Sequence, residues 1–229
     1  MHGGAHGAWC WSPLLPLLDG DVLAVDLPPK SIRGGPDRYE SPSGLGDVRL
    51  SDFVDSVQRD VEAAAFERFV LVGHSMGGLT ISELARREPD RVEHLVYVSC
   101  MVPREGESAM QALPTGLLET PPDLVEMFCS DMDEEQTRFV VEHIGTEAAA
   151  VLEEPVSRAG IPPELPKTFV KLLRDRSLDP DHQDTLIQNL RESPGGPVDV
   201  VTIDSGHDVM ISRPKELADV LNAIAAAVG

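Results

Sequence analysis

Cysteine is scarce in this chain of 229 residues: three in all, at positions 10, 100 and 129. They are widely spaced and odd in number, with no C-x-x-C pair. That argues against a disulfide framework and a thiolate zinc site, and for free thiols in a reducing compartment. Aromatic residues are only 4% of the chain. Positive charge is also short, with 19 Lys and Arg against 39 Asp and Glu and a formal net charge of -20. A phosphate backbone or an anionic membrane needs a basic surface, so neither is an expected partner. No apolar run reaches the roughly 18 residues that span a bilayer, and no basic segment precedes an apolar leader. A cytoplasmic location is therefore expected. There is no H-x-H or H-E-x-x-H spacing, no P-loop and no G-x-G-x-x-G after a strand, so no metal or cofactor is implied. What remains is ordinary globular composition, 41% hydrophobic and 25% charged, at a length that suits one large core.

Short β-rich runs alternate with longer helical patterns, the signature of an α/β protein with a mainly parallel sheet and helices on both faces. Strands are expected at 22–26, 69–73, 94–99, 168–173 and 198–203. Helices are expected at 12–18, 47–65, 76–87, 181–191 and 214–228. Between Pro103 and Pro166 no strand pattern is convincing, and short helical patterns at 123–129 and 134–144 take its place. This reads as a small helical cap at about 104–166, inserted into a core formed by 1–103 and 167–229. The opening Met1-His2-Gly3-Gly4 looks like the end of a strand, so a few more apolar residues are expected upstream.

The strongest chemical signal is Gly73-His-Ser75-Met-Gly77-Gly78, a G-x-S-x-G motif with an apolar strand before it and an amphipathic helix after it. A sharp strand-to-helix turn lifts the Ser75 hydroxyl above the sheet beside a helix N-terminus, which favours developing negative charge. A neutral hydroxyl needs a base. Of seven histidines, His207 stands in the loop after the last strand, at the carboxyl end of the sheet where open α/β folds place their sites. His74 adjoins the serine but is expected to point away from it. A carboxylate should orient the imidazole from a strand end between the two. Asp175 comes first after its strand and is preferred; Asp179 is second, and Asp181 reads as a helix cap. The oxyanion needs two N–H donors. One is the backbone of Met76, and the glycine-rich segment 2–7 supplies the other, with His2 and His6 bracing it.

These motifs together resemble the α/β-hydrolase fold, and within it the branch of plant methylesterases, hydroxynitrile lyases and small bacterial esterases. The similarity lies in His2-Gly-Gly-Ala-His-Gly-Ala-Trp-Cys-Trp11, Val25-Asp-Leu-Pro28, the elbow at 73–78, Asp175 and Gly206-His207. The resemblance implies a Ser75, Asp175, His207 triad and places the second oxyanion N–H on Gly4. The lyases of that branch carry Thr after the first loop histidine and Lys after the catalytic histidine. Here those positions hold Gly3 and Asp208, which favours hydrolysis over cyanohydrin cleavage.

The expected activity is that of a serine hydrolase cleaving a small or medium, largely apolar carboxylic ester, without cofactor or metal. The alternatives are a ligand sensor that keeps the triad, or a lactonase or C–C bond hydrolase using the same groups. Trp9, Trp11, Met110, Leu117, Met127 and Phe128 are candidates for pocket lining. The sequence gives no indication of oligomeric state.

Overall fold

The computed structural model describes residues 1–28, 48–113, 123–145, 148–194 and 196–228. Four strands, β1 (Phe69–His74), β2 (Val92–Val98), β3 (Lys167–Leu172) and β4 (Val198–Ile203), lie side by side in that order, all parallel. The helices that join or flank them include α1 (Leu50–Ala63), α2 (Gly77–Arg87), α6 (Pro180–Glu192) and α8 (Pro214–Val228). Alternation along each strand divides the core in two. Leu95, Tyr97 and Phe169 face α1, α2 and α6. Val96, Val98, Val170 and Leu172 face α8 and the N-terminal segment. In α1 the buried residues Leu50, Phe53, Val54, Val57 and Val61 keep helical spacing, so one stripe covers the sheet.

Between β2 and β3 the described residues form only α3 (Ala109–Ala112), α4 (Leu124–Cys129), α5 (Glu134–His143) and a 3-10 turn at Ala149–Glu153. Leu117, named above as a possible pocket residue, lies outside the described residues. After β4 a one-turn helix α7 (Val209–Ser212) precedes α8. No helix among the described residues is long and apolar enough to cross a membrane.

Two sequence expectations need correction. Residues 22–26 form no strand and pair with none of the described strands. A cavity of about 360 Å³, lined by Val22, Leu23 and Val25 on one side and Val70 and Val72 on the other, separates them from β1. Residue 1 alone makes ladder contacts there: its amino group donates to the Val72 carbonyl at 2.6 Å, and its carbonyl accepts from His74 N–H at 3.1 Å. The helix expected at 12–18 is absent: a 3-10 turn at Ala8–Trp11 precedes the stretch, and within it only Leu15–Leu17 forms a second. Pro16 has no N–H to give, and its ring would clash with the carbonyl of residue 12 in an α-helix.

Candidate active site

The turn after β1 is held by close approach. Ser75 has φ +52°, a left-handed conformation that costs energy for a non-glycine residue. A Cβ on Gly77 would stand 2.8 Å from the carbonyl oxygens of Met1 and His2. A Cβ on Gly3 would stand 2.7 Å from the Ser75 Cβ. The glycine loop therefore lies directly against the serine. Met76 is the N-cap of α2 without a side-chain cap. Among the described residues no acceptor takes the N–H of Met76 or of Gly4.

Asp175 follows β3 and is buried. Its Oδ2 accepts from His207 Nδ1 at 2.7 Å and from the Ser99 hydroxyl at 2.6 Å. Its Oδ1 accepts from the backbone N–H of Ser177 and Leu178 at 2.7 and 2.9 Å. Asp179 is exposed and does other work: it caps α6 by accepting from the N–H of Asp181 and His182. The cap is thus Asp179, not Asp181, and Pro180 at the first helical position was the sequence signal for it. Ser99, with φ +40° at the end of β2, was not anticipated.

Hydrogen bonds fix the protons on the histidines around the turn. His2 Nε2 accepts from Leu27 N–H at 3.0 Å, so its Nδ1 carries the proton given to the Gly3 carbonyl at 2.8 Å. The His74 ring belongs to this cluster, its centroid 4.5 Å from that of His207. Its Nε2 faces the His207 carbonyl at 3.0 Å and must donate. Burial first, then the charges of His207 and His6, push its pKa well below the usual imidazole range. His207 Nδ1 donates to Asp175, which leaves the Nε2 lone pair without a hydrogen-bond partner among the described residues. Burial alone lowers the His207 pKa, but the charge and hydrogen bond of Asp175, with Asp208 adding, outweigh it, and the net shift is upward from 6.5.

Phe128, from α4, stacks on the His207 ring at 5.7 Å and meets His6 edge-on at 4.9 Å. Trp9 stacks on His6 and touches Phe139 and His143. Trp11 is buried in the core beneath, edge-on to His74. Met127 is partly buried against that core, and Met110 is exposed on α3. His74, His207 and Asp208 offer ligand atoms within 4.8 Å of one another, the one such group among the described residues. His74 Nε2 uses its proton on a carbonyl and has no lone pair for a cation there.

A parallel sheet with a left-handed serine turn after one strand and an Asp–His pair after two others defines a hydrolase of the α/β class. The Alpha/beta hydrolase family model matches residues 1–220, and the chain belongs to that family. It is 29% identical over 246 residues to the carbendazim hydrolyzing esterase of Nocardioides sp., covering 98% of this chain and 97% of that protein. It is 24% identical over 269 residues to Methylesterase 17 of Arabidopsis thaliana, covering 100% and 91%. The crystal structure of a pyrethroid hydrolase from Sphingobium faniae JZ-2 superposes with a TM-score of 0.75 at 26% identity, covering 99% of this chain and 95% of that one. The chain is an enzyme of the carboxylic ester hydrolase class.

Proposed function

We propose that the chain hydrolyses a small or medium, largely apolar carboxylic ester through Ser75, His207 and Asp175 and an acyl-enzyme. The observation that carries this reading is the Asp175–His207 hydrogen bond at 2.7 Å, which leaves Nε2 as the basic nitrogen of a buried imidazole. Ser75 Oγ attacks the ester carbonyl while His207 Nε2 takes its proton. The N–H groups of Gly4 and Met76 receive the oxyanion. His207 then returns the proton to the leaving alcohol, and water releases the acyl group by the same steps. Asp175 holds the ring and stabilises its protonated form. The mechanism draws on no metal or cofactor. The Phe128 ring against His207 supports a largely apolar substrate, as do relatives named for carbendazim and pyrethroid hydrolysis.

The test is p-nitrophenyl butyrate turnover together with labelling by a fluorophosphonate probe. Many turnovers per labelled site, with both signals lost in Ser75→Ala, would support the reading. One stoichiometric burst without turnover would overturn it in favour of a sensor.

A further inference from the structure

His6 and Asp208 are absent from the mechanism above, yet both are buried, with Asp208 fully excluded from solvent. His6 Nε2 lies 2.8 Å from Asp208 Oδ2, and its Nδ1 lies 2.7 Å from the Gly4 carbonyl oxygen. A carbonyl oxygen only accepts, so Nδ1 carries a proton. The Nε2–Oδ2 contact needs a proton of its own, whichever atom holds it. The pair therefore holds one proton more than a neutral histidine beside a carboxylate, and its net charge is zero. His6 faces oxygen acceptors among the described residues with both ring nitrogens. Asp208 is the N-cap of α7 but places no side-chain bond on that helix, turning inward to His6 instead.

The connection runs between the two halves of the site. At one end is Gly4, in a turn where Ala5 takes φ +61° and His6 N–H returns to the Gly3 carbonyl at 3.4 Å. A positive φ at the third position of such a turn ordinarily selects glycine, so an alanine there needs outside support. At the other end is the residue bonded to His207. Extending the serine-hydrolase reading, on which this rests, we propose that His6–Asp208 is a positioning pair: a net-neutral, hydrogen-bonded strut that fixes the Gly4 oxyanion donor relative to the His207 base. Neither residue touches substrate.

Three variants test it, each measured per active site titrated with the fluorophosphonate, on the alkaline plateau of the pH profile. Asp208→Ala and His6→Ala cut the strut. They should lower kcat about 10- to 100-fold, the range expected when a donor is misplaced by a fraction of an ångström to an ångström, while KM changes less than threefold. Inhibition by an aryl trifluoromethyl ketone, whose hemiketal oxyanion uses the Gly4 N–H, should weaken by the same factor. A neutral amide competitor should bind as before. Asp208→Asn keeps the geometry, since its amide can donate to the Nε2 of a neutral His6 that still donates from Nδ1. It should recover at least tenfold over Asp208→Ala. The groups facing Asp208 are His6, His74 at 3.9 Å, His207 and the thiols of Cys10 and Cys129. Fewer titratable sites with unchanged kcat per site and unchanged ketone affinity would mean a merely structural pair and would overturn the proposal. Equal loss in the Asn and Ala variants would overturn it too. If the wild type is not labelled at all, the hydrolase reading fails and the strut with it. If it is labelled and turns over, only the strut is at stake.

Discussion

Replacing Asp175 with Asn changes one atom and should disable the enzyme without unfolding it. The carboxylate accepts four hydrogen bonds, two backbone N–H groups on Oδ1 and the His207 ring and Ser99 hydroxyl on Oδ2. The backbone donors cannot rotate, so the amide oxygen of the variant stays on their side and its NH2 faces His207 and Ser99. Ser99 can answer by accepting. His207 can answer only by giving up the proton on Nδ1, which moves it to Nε2, and the lone pair needed to deprotonate Ser75 disappears. Loss of the correct tautomer in a comparable triad costs on the order of 10⁴ in kcat, about 5 kcal/mol of barrier. Steady-state hydrolysis of p-nitrophenyl butyrate at pH 8 measures it, with thermal melting as the control for folding. Asp179→Asn is the paired experiment. Asn caps a helix as well as Asp, and Asp179 bonds only the N–H groups of Asp181 and His182, so activity should stay within a factor of two. An Asp175→Asn enzyme within tenfold of wild type, or the reverse ranking of the two variants, would refute the assignment.

Ser75→Ala should reduce turnover by a factor on the order of 10³ or more, read in the same assay. The proposed mechanism uses His207 unprotonated, and its pKa is shifted upward, so kcat/KM should rise with pH through a midpoint above 6.5. A pH–rate midpoint at or below 6.5 would contradict the electrostatic account. Gly77→Ala puts a methyl 2.8 Å from two backbone carbonyls, which cannot swing aside as a side chain can. Overpacking of this kind costs about 1–3 kcal/mol, so urea denaturation should show a clear loss of stability.

The parts of the site that are contiguous in sequence were legible, and those built from distant contacts were not. The elbow could be read because an apolar run, a G-x-S-x-G and an amphipathic helix occur in succession. Position after a strand singled out Asp175, and the structure brings it to His207. Nothing local marks Ser99 as a donor to Asp175, or Asp208 as the partner of His6 across some 200 residues of chain. The stretch at 22–26 failed as a strand for a related reason. Its side-chain pattern is that of a strand, but a strand exists only by pairing, and a pattern does not say whether a neighbour lies beside it. At 12–18 the apolar residues suggest a helix, but Pro16 forbids a regular one.

All three thiols are buried, Cys10 and Cys129 in the core on one face of the sheet and Cys100 in the core on the other. Cys10 sits behind Trp11 and near Asp208; Cys100 lies under the elbow, donating to the Gly73 carbonyl at 3.0 Å; Cys129 ends α4 beside Phe128. Burial raises the pKa of every one, so in the native state they are protonated, sheltered and inert. Each becomes a sentinel. Alkylation of Cys129 should time the lifting of α4 from the His207 ring, Cys10 should report on the core beside Trp11, and Cys100 should react only when the turn carrying Ser75 itself comes apart. A chain with three silent cysteines can thus be watched opening by a thiol reagent that leaves Ser75 untouched.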